Sequence, residues 1–211
     1  MEILWLDEVE STQTYLIDAL KSGVLKIPIC VGASRQSNGK GSRGNSWIGY
    51  EGNFFISFAL SRASLPDDLK LESSSIYFAY ILKEVLSNLG SSLWLKWPND
   101  FYIGEKKVGG VITNLVGESL VCGIGLNLQN GSGDFGVMDI EIDSKDLSKL
   151  YITELKKFYS WKQTFSKYRI EFERSKSFST HSNNRLIELK EAVLCEDGSL
   201  ECNGQRIFSL R

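Results

Sequence analysis

The chain has 211 residues, with 24 Lys and Arg against 26 Asp and Glu, and a net charge of −2 excludes a generally basic nucleic-acid coat. Hydrophobic residues at 42% and charged residues at 24% are ordinary for a soluble globular protein, and the length is ample for a real core. One histidine, His181, leaves no material for a His-rich metal site or a Ser-His-Asp triad, and four scattered cysteines (Cys30, Cys122, Cys195, Cys202) contain no CxxC pair, so zinc, haem and disulfide frameworks are poor readings. The opening MEILWLDEVE lacks the basic and apolar regions of a secretory leader, and no apolar run approaches a membrane span. The cysteines are therefore expected to be reduced, mostly core thiols in a cytoplasm.

The spacing predicts alternating strands and helices. Residues 3–6 suit a strand, Ser11-Thr12 is a helix N-cap signature, and Leu16, Ala19 and Leu20 fall on one helical face. Residues 29–33 read as a second strand, 36–46 as a polar glycine-rich loop, and 53–60, with Phe54, Phe55, Ile56 and Phe58, as a buried strand. A long amphipathic helix is predicted over 66–89. Strands dominate 93–128, broken at Gly104-Glu105 and Gly117-Glu118; 129–138 is expected to be a mobile loop. Helices follow at 143–159 and 161–174, then a polar stretch at 175–184. The tail, with tight turns at Asp197-Gly198 and Asn203-Gly204, reads as a small antiparallel meander.

Three segments carry candidate chemistry. QSNGKGSRGNSW at 36–47 alternates glycines with Lys40 and Arg43, so backbone amides and cations could cradle an anion; a solvated loop has the same composition, and neither the Walker pattern nor GxGxxG is present. KWPND at 96–100 ends a strand in an extended turn that offers Lys96, Asn99 and Asp100 to a polar ligand, or is an ordinary Pro-Asn-Asp turn. KKVGG at 106–110 and GIGLN at 123–127 place Gly123 and Gly125 two apart on one strand face. Their missing side chains leave either a slot for a slender ligand or a surface for tight helix packing.

In this order, STQTYL, GKGSRGNSW, KWPND, KKVGG and GIGLN resemble the catalytic domain of biotin protein ligases, over about residues 3–130. The resemblance implies an α+β fold: a mixed sheet flanked by helices, like a class II synthetase catalytic domain, over 1–182. A short antiparallel β unit over 183–211 would be a reduced SH3-like barrel. It also implies ATP-dependent activation of biotin to biotinyl-5′-AMP and transfer to one lysine of a biotin carboxyl carrier domain of acetyl-CoA carboxylase or a related carboxylase. ATP would enter with Mg²⁺, and no metal ligands are assigned on the protein.

By the same matching, Lys107 bridges the biotin carboxylate and the α-phosphate, and Asp100 orients the acceptor amine. Ser11, Thr12 and Gln36, with the Gly39-Lys40 backbone, bind the ureido ring, and Gly110, Gly123 and Gly125 line the slot. Lys40, Arg43, Trp47, Lys96, Asn99 and Asn127 surround the adenylate, with Lys96 at the phosphates, whereas Lys106 points away. The family's glycine loop usually reads GRGRRGR, so Ser42 and Asn45 stand in place of two arginines, and faster release of the adenylate is expected. The chain starts at the first catalytic strand without a helix-turn-helix, so no repressor role and no specific DNA binding are expected; a homodimer is compatible with the resemblance. Lipoate ligation through the same acyl-adenylate chemistry and a non-catalytic ligand-binding module are the competing readings.

Overall fold

The computed structural model describes residues 1–41, 45–131, 133–182 and 185–208. An eight-stranded mixed sheet forms its centre, built from β1 (Glu2–Val9), β2 (Ile29–Lys40), β3 (Ser46–Gly49), β4 (Phe54–Ser61), β5 (Trp94–Lys96), β6 (Asp100–Ile103), β7 (Lys106–Val116) and β8 (Ser119–Leu126). The spatial order is β1-β2-β4-β8-β7-β6-β5, with β3 paired to β2. Among the described strands only β1 and β2 run parallel, joined by the crossover helix α1 (Thr12–Lys21).

Alternation along the strands divides the core into two layers. Phe54, Ile56, Phe58 and Leu60 of β4 and Leu120, Cys122, Ile124 and Leu126 of β8 face the larger apolar cluster. It lies under α2 (Ser74–Asn88), α3 (Ser144–Leu155) and α4 (Trp161–Glu171). The intervening residues Ala59 and Val121 join Leu16, Ile29 and Val31 beneath α1. Between these two, Ser57, Gly123 and Gly125 leave the second face of the sheet partly open, which is where the site forms.

Local chemistry sets the helix ends. Ser11 caps α1 through Thr14 N at 3.4 Å, Asp143 caps α3, and Ser160 with Gln163 forms a capping box on α4. Asp68 adds a second cap on α4, accepting from the Trp161 and Lys162 amides at 2.9 Å. The helix predicted over 66–89 is thus shorter: 62–64 and 71–73 are 3₁₀ turns, and α2 begins at Ser74. Serine hydroxyls account for this, since Ser74 Oγ bonds the Leu71 carbonyl and Ser73 Oγ bonds the Asp197 carbonyl, both competing with helix.

Two further expectations are corrected. Residues 36–40 are not loop but the end of β2, which pairs with β3. The polar stretch 175–184 contains β9 (Ser179–Ser182), which pairs with β10 (Arg185–Glu188). Beyond it, β11 (Val193–Leu194), β12 (Leu200–Cys202) and β13 (Gln205–Ile207) form the expected meander, with Gly198, Asn203 and Gly204 at positive φ in its turns. These small antiparallel sheets are the arrangement of a reduced SH3-like unit. Among the described residues, no helix is long and apolar enough to cross a membrane.

Candidate active site

A cleft of about 480 Å³, mouth included, opens on the face of the sheet beside α1. Its floor is glycine: Gly110 of β7 lies directly opposite Gly125 of β8, and Gly123 opposite Ile112. Side chains would close it. A Cβ on Gly123 would stand 2.5 Å from Gln13 Oε1, and one on Gly125 would stand 3.2 Å from Trp47 Nε1. Gly109 differs, since a Cβ there would run into the Gly125 carbonyl on the helix-packed side. The two glycines of KKVGG therefore divide the labour, one serving packing and one the cleft.

One end of the cleft is polar and buried. Gln36 Oε1 accepts from the Thr12 amide at 2.7 Å and from Thr12 Oγ1 at 3.0 Å, and Thr12 Oγ1 lies 2.9 Å from Ser57 Oγ. Thr12's single proton goes to Gln36, so Ser57 donates to Thr12 and keeps its lone pairs. Ser11, Thr12, Gln13 and Gln36 are all under 9% exposed.

The other end carries charge. Lys107 Nζ pairs with Asp100 Oδ1 at 2.6 Å, with both side chains partly exposed. A β-bulge makes this pairing available. Phe101 opposes Gly109 but Tyr102 opposes Lys107, so Val108 is an extra residue in β7. Strict alternation would put Lys107 and Gly110 on opposite faces; the bulge brings both to the cleft. Lys106 is exposed, as expected. Tyr102, half-buried beside Asp100, has its phenol pushed up to about 12, first by burial and then by that carboxylate.

The KWPND turn is anchored from behind. Trp97 is fully buried, its amide bonds Ser175 Oγ at 3.0 Å, and its indole donates to the Gly198 carbonyl at 2.8 Å. Asn99 is buried with Nδ2 on the Val111 carbonyl, and the Val111 amide returns to the Asn99 carbonyl at 2.9 Å. The turn is thereby stitched to the cleft floor.

The structure gathers Ser11, Thr12, Gln36, Lys40, Trp47 and Asn99 around one cavity, together with Asp100, Lys107, Gly110, Gly123 and Gly125. Gly39 adjoins it without lining it, pressed against the Trp47 carbonyl. Arg43 and Ser42 lie outside the described residues. Lys96 is buried on β5 with its ammonium over the Tyr102 and Phe178 rings, at 5.6 and 5.9 Å, and does not line the cleft. Asn127 also stands behind the lining. Its Nδ2 donates to the Gly136 carbonyl at 3.0 Å, and its own carbonyl accepts from the Met138 amide. Described residues of the stretch 129–138 also reach the cleft wall: Gly136 N bonds the Lys107 carbonyl, and Phe135 meets Trp47 edge-on at 5.5 Å.

Sequence reasoning missed Gln13 and Ser57. Each left a signal, as a polar residue on an otherwise apolar inward face: Gln13 in the Leu16–Leu20 stripe of α1, and Ser57 within the FFISFAL strand. The cysteines take no part. Cys30 and Cys122 are fully buried in the core, and burial pushes the Cys30 thiol up to about 12. Among the described residues, no group of three or more His, Cys, Asp or Glu converges as a metal site.

A mixed sheet with a glycine-floored cleft, polar at one end and closed at the other by a lysine–carboxylate pair, defines an α+β domain with a small-molecule-sized cleft. Residues 5–129 match the Biotin/lipoate A/B protein ligase family, and the chain belongs to that family. It is 27% identical over 168 residues to the bifunctional ligase/repressor BirA of Escherichia coli, covering 72% of this chain and 51% of that protein. The human biotin–protein ligase is 26% identical over 75% of this chain and 23% of its own length. The chain thus spans about half, or less, of these curated relatives.

Among solved structures, biotin acetyl coenzyme A carboxylase synthetase from Helicobacter pylori, with bound biotinylated ATP, superposes with a TM-score of 0.94. The two chains are 40% identical, over 98% of this one and 99% of that one. Biotin protein ligase from Aquifex aeolicus, in complex with biotin and ATP, has a TM-score of 0.73 and 26% identity over 100% and 98% of the two chains. The mixed sheet flanked by helices and the small C-terminal sheets are the fold the sequence led us to expect.

Proposed function

We propose that this protein activates biotin with ATP to biotinyl-5′-AMP and transfers the biotinyl group to a lysine of a biotin carboxyl carrier domain, that of acetyl-CoA carboxylase or a related carboxylase. The observation that carries this reading is the Lys107–Asp100 pair at the charged end of a slot whose far end offers only neutral polar groups. A slender acid fits that gradient, with its carboxylate at Lys107 and its neutral head beside Thr12, Gln36 and Ser57.

Adenylation brings an anionic carboxylate to an anionic phosphate, so it needs positioning and a cation at the point where the charges meet. Lys107 supplies that cation. Lys40, at the end of β2 and in the lining, would share the phosphate charge, and Trp47, held by Phe135, would cover the adenylate. Arg43 and Lys96 remain proposed phosphate contacts, Lys96 by movement of its side chain toward the cleft. Asn99 and Asn127 would position the nucleotide through the segments they hold. In the second step Asp100 would orient the incoming amine and help take its proton.

Magnesium would arrive bound to ATP, with phosphates and water filling most of its coordination. Asp100, the single carboxylate in the described lining, fits that small demand. We place the reaction in the cytoplasm, where carboxylase carrier domains and ATP meet, and we keep 1–182 as the catalytic unit and 183–211 as a β unit that buttresses it through Gly198.

Exchange of labelled pyrophosphate into ATP tests the reading. We expect exchange with biotin and none with lipoate; exchange with lipoate, or none with either, would overturn it.

A further inference from the structure

Gln13 is the one cleft residue in the described structure whose buried side-chain oxygen is left without a partner. Its Nε2 donates to Asn114 Oδ1 at 2.9 Å and reaches the Val121 carbonyl at 3.5 Å. The Val121 carbonyl can only accept, so it sets the amide orientation: a flipped amide would put oxygen against oxygen there. The oxygen therefore lies over Gly123 at the polar end of the cleft, buried and without a hydrogen bond, on a residue only 4% exposed. A buried carbonyl oxygen without a donor is costly, and the chain carries that cost at the floor of its ligand slot. Position adds to the case: Gln13 sits on the core face of α1, where an apolar side chain would otherwise be expected.

Hydrogen-bond bookkeeping around it shows what the oxygen is for. Gln36 Oε1 is already taken by two donors from Thr12, so any contact Gln36 makes with a ligand is as a donor, through its amide nitrogen. Ser57, having donated to Thr12, offers lone pairs, and it stands beside Gln13 over Gly123. The polar end thus presents two adjacent acceptors, Gln13 Oε1 and Ser57 Oγ, with a donor on the other side. A cyclic urea, with two N–H donors and one carbonyl, is the complement of that pattern; a dithiolane, with no N–H, is not. We infer that Gln13 is a specificity-determining residue that accepts a hydrogen bond from one urea N–H of the ligand head and thereby selects a ureido acid over a dithiolane acid. This rests on the biotin-ligase reading above and assigns it a contact beyond Ser11, Thr12 and Gln36.

The test is calorimetric titration of biotin into the wild type and Gln13→Met, with biotin methylated on either urea nitrogen as the second ligand. Methionine matches the size of glutamine without its acceptor. We expect biotin affinity to fall about 10–100-fold, ATP affinity to be unchanged, and KM for biotin to rise while kcat for adenylation holds within about threefold. The penalty for methylating one of the two nitrogens should shrink in Gln13→Met, while that for the other persists, which a merely structural role would not produce. Should Gln13→Met fail to fold, Asn114→Ala frees the amide from outside the cleft at an exposed position, and biotin affinity should drop about 3–10-fold. Unchanged biotin affinity and unchanged methylation penalties in a wild type that binds biotin would overturn this inference alone. A wild type that binds no biotin overturns the ligase reading and the inference with it.

Discussion

Lys107 Nζ rests 2.6 Å from Asp100 Oδ1 across the mouth of the glycine-floored cleft. The pair is partly exposed, with side chains 28% and 19% accessible, so it contributes little to stability and its value lies in what each partner does with a ligand. An arriving carboxylate and phosphate compete with Asp100 for the ammonium. Lys107→Ala should therefore lower adenylate formation about 10²–10³-fold while circular dichroism and thermal midpoint stay close to wild type. Pyrophosphate exchange within a few-fold of wild type in a folded Lys107→Ala protein would contradict the assignment.

Asp100→Asn separates the two steps. Removing the carboxylate frees Lys107 for the ligand, so adenylate formation should be retained. Transfer to a carrier lysine should fall about 10²-fold, because the acceptor amine would lose the carboxylate proposed to orient it. Single-turnover transfer from preformed adenylate measures this directly, and equal loss in both steps would show that Asp100 acts only through Lys107.

The contrast between Gly109 and Gly123 gives a second pair of outcomes. A Cβ on Gly109 meets the Gly125 carbonyl and Leu126, which are backbone and core and cannot yield cheaply. Gly109→Ala should cost about 1–3 kcal/mol in urea denaturation. A Cβ on Gly123 meets the side-chain ends of Gln13 and Ser57 rather than backbone, and it fills the slot. Gly123→Ala should keep most of its stability and raise KM for biotin on the order of 10–100-fold. Reversed results would place the ligand elsewhere.

The core strands and three of the four helices were legible because inward residues repeat with period two or near 3.6, and the turns because Asp197-Gly198 and Asn203-Gly204 need positive φ. The site was legible as a set of motifs, but its geometry was not. The bulge at Val108, which turns Lys107 to the face of Gly110, depends on pairing with β6 and leaves no local mark. The 66–73 segment looks helical by spacing, yet Ser73 and Asp68 are drawn away by Asp197 and α4, partners more than 90 residues distant. Lys96, which the resemblance assigns to the phosphates, has its ammonium over the rings of Tyr102 and Phe178, the latter supplied by a segment that sequence reading left without structure.

Trp97 connects the KWPND turn to the C-terminal sheets. Its indole N–H meets the Gly198 carbonyl at 2.8 Å, and Trp161 makes the matching bond to the Glu196 carbonyl. Trp97→Phe leaves a buried carbonyl unpaired and part of the ring space empty, a loss of about 2–4 kcal/mol by urea denaturation. Because Asn99 and Asp100 follow two and three residues later, kcat for transfer should fall as well. A variant as stable as wild type would mean that the turn does not need this support.

The Asp197 carboxylate ties down the turn that supplies the Gly198 carbonyl, through Ser199 and Arg206. Burial alone would raise its pKa, but hydrogen bonds from Ser199 Oγ and from Arg206 Nη2 at 2.7 Å, together with the Ser199 amide, hold the carboxyl below its ordinary 3.8. A carboxylate whose folded pKa is depressed contributes stability that is full above the unfolded value and lost as pH falls through the folded one. Asp197→Asn removes the charge at every pH, so it should lower Tm by roughly 2–6 °C at pH 7, and this gap should hold down to about pH 5. Below about pH 4 the wild-type carboxylate begins to protonate and the gap should narrow, because the two proteins then carry equally uncharged groups at this position. Thermal melts of both proteins from pH 7 to pH 3 measure the gap directly. A gap that stays constant through the acid range would show that the Asp197 side chain stabilises the turn by shape and neutral hydrogen bonding, and that its charge is immaterial.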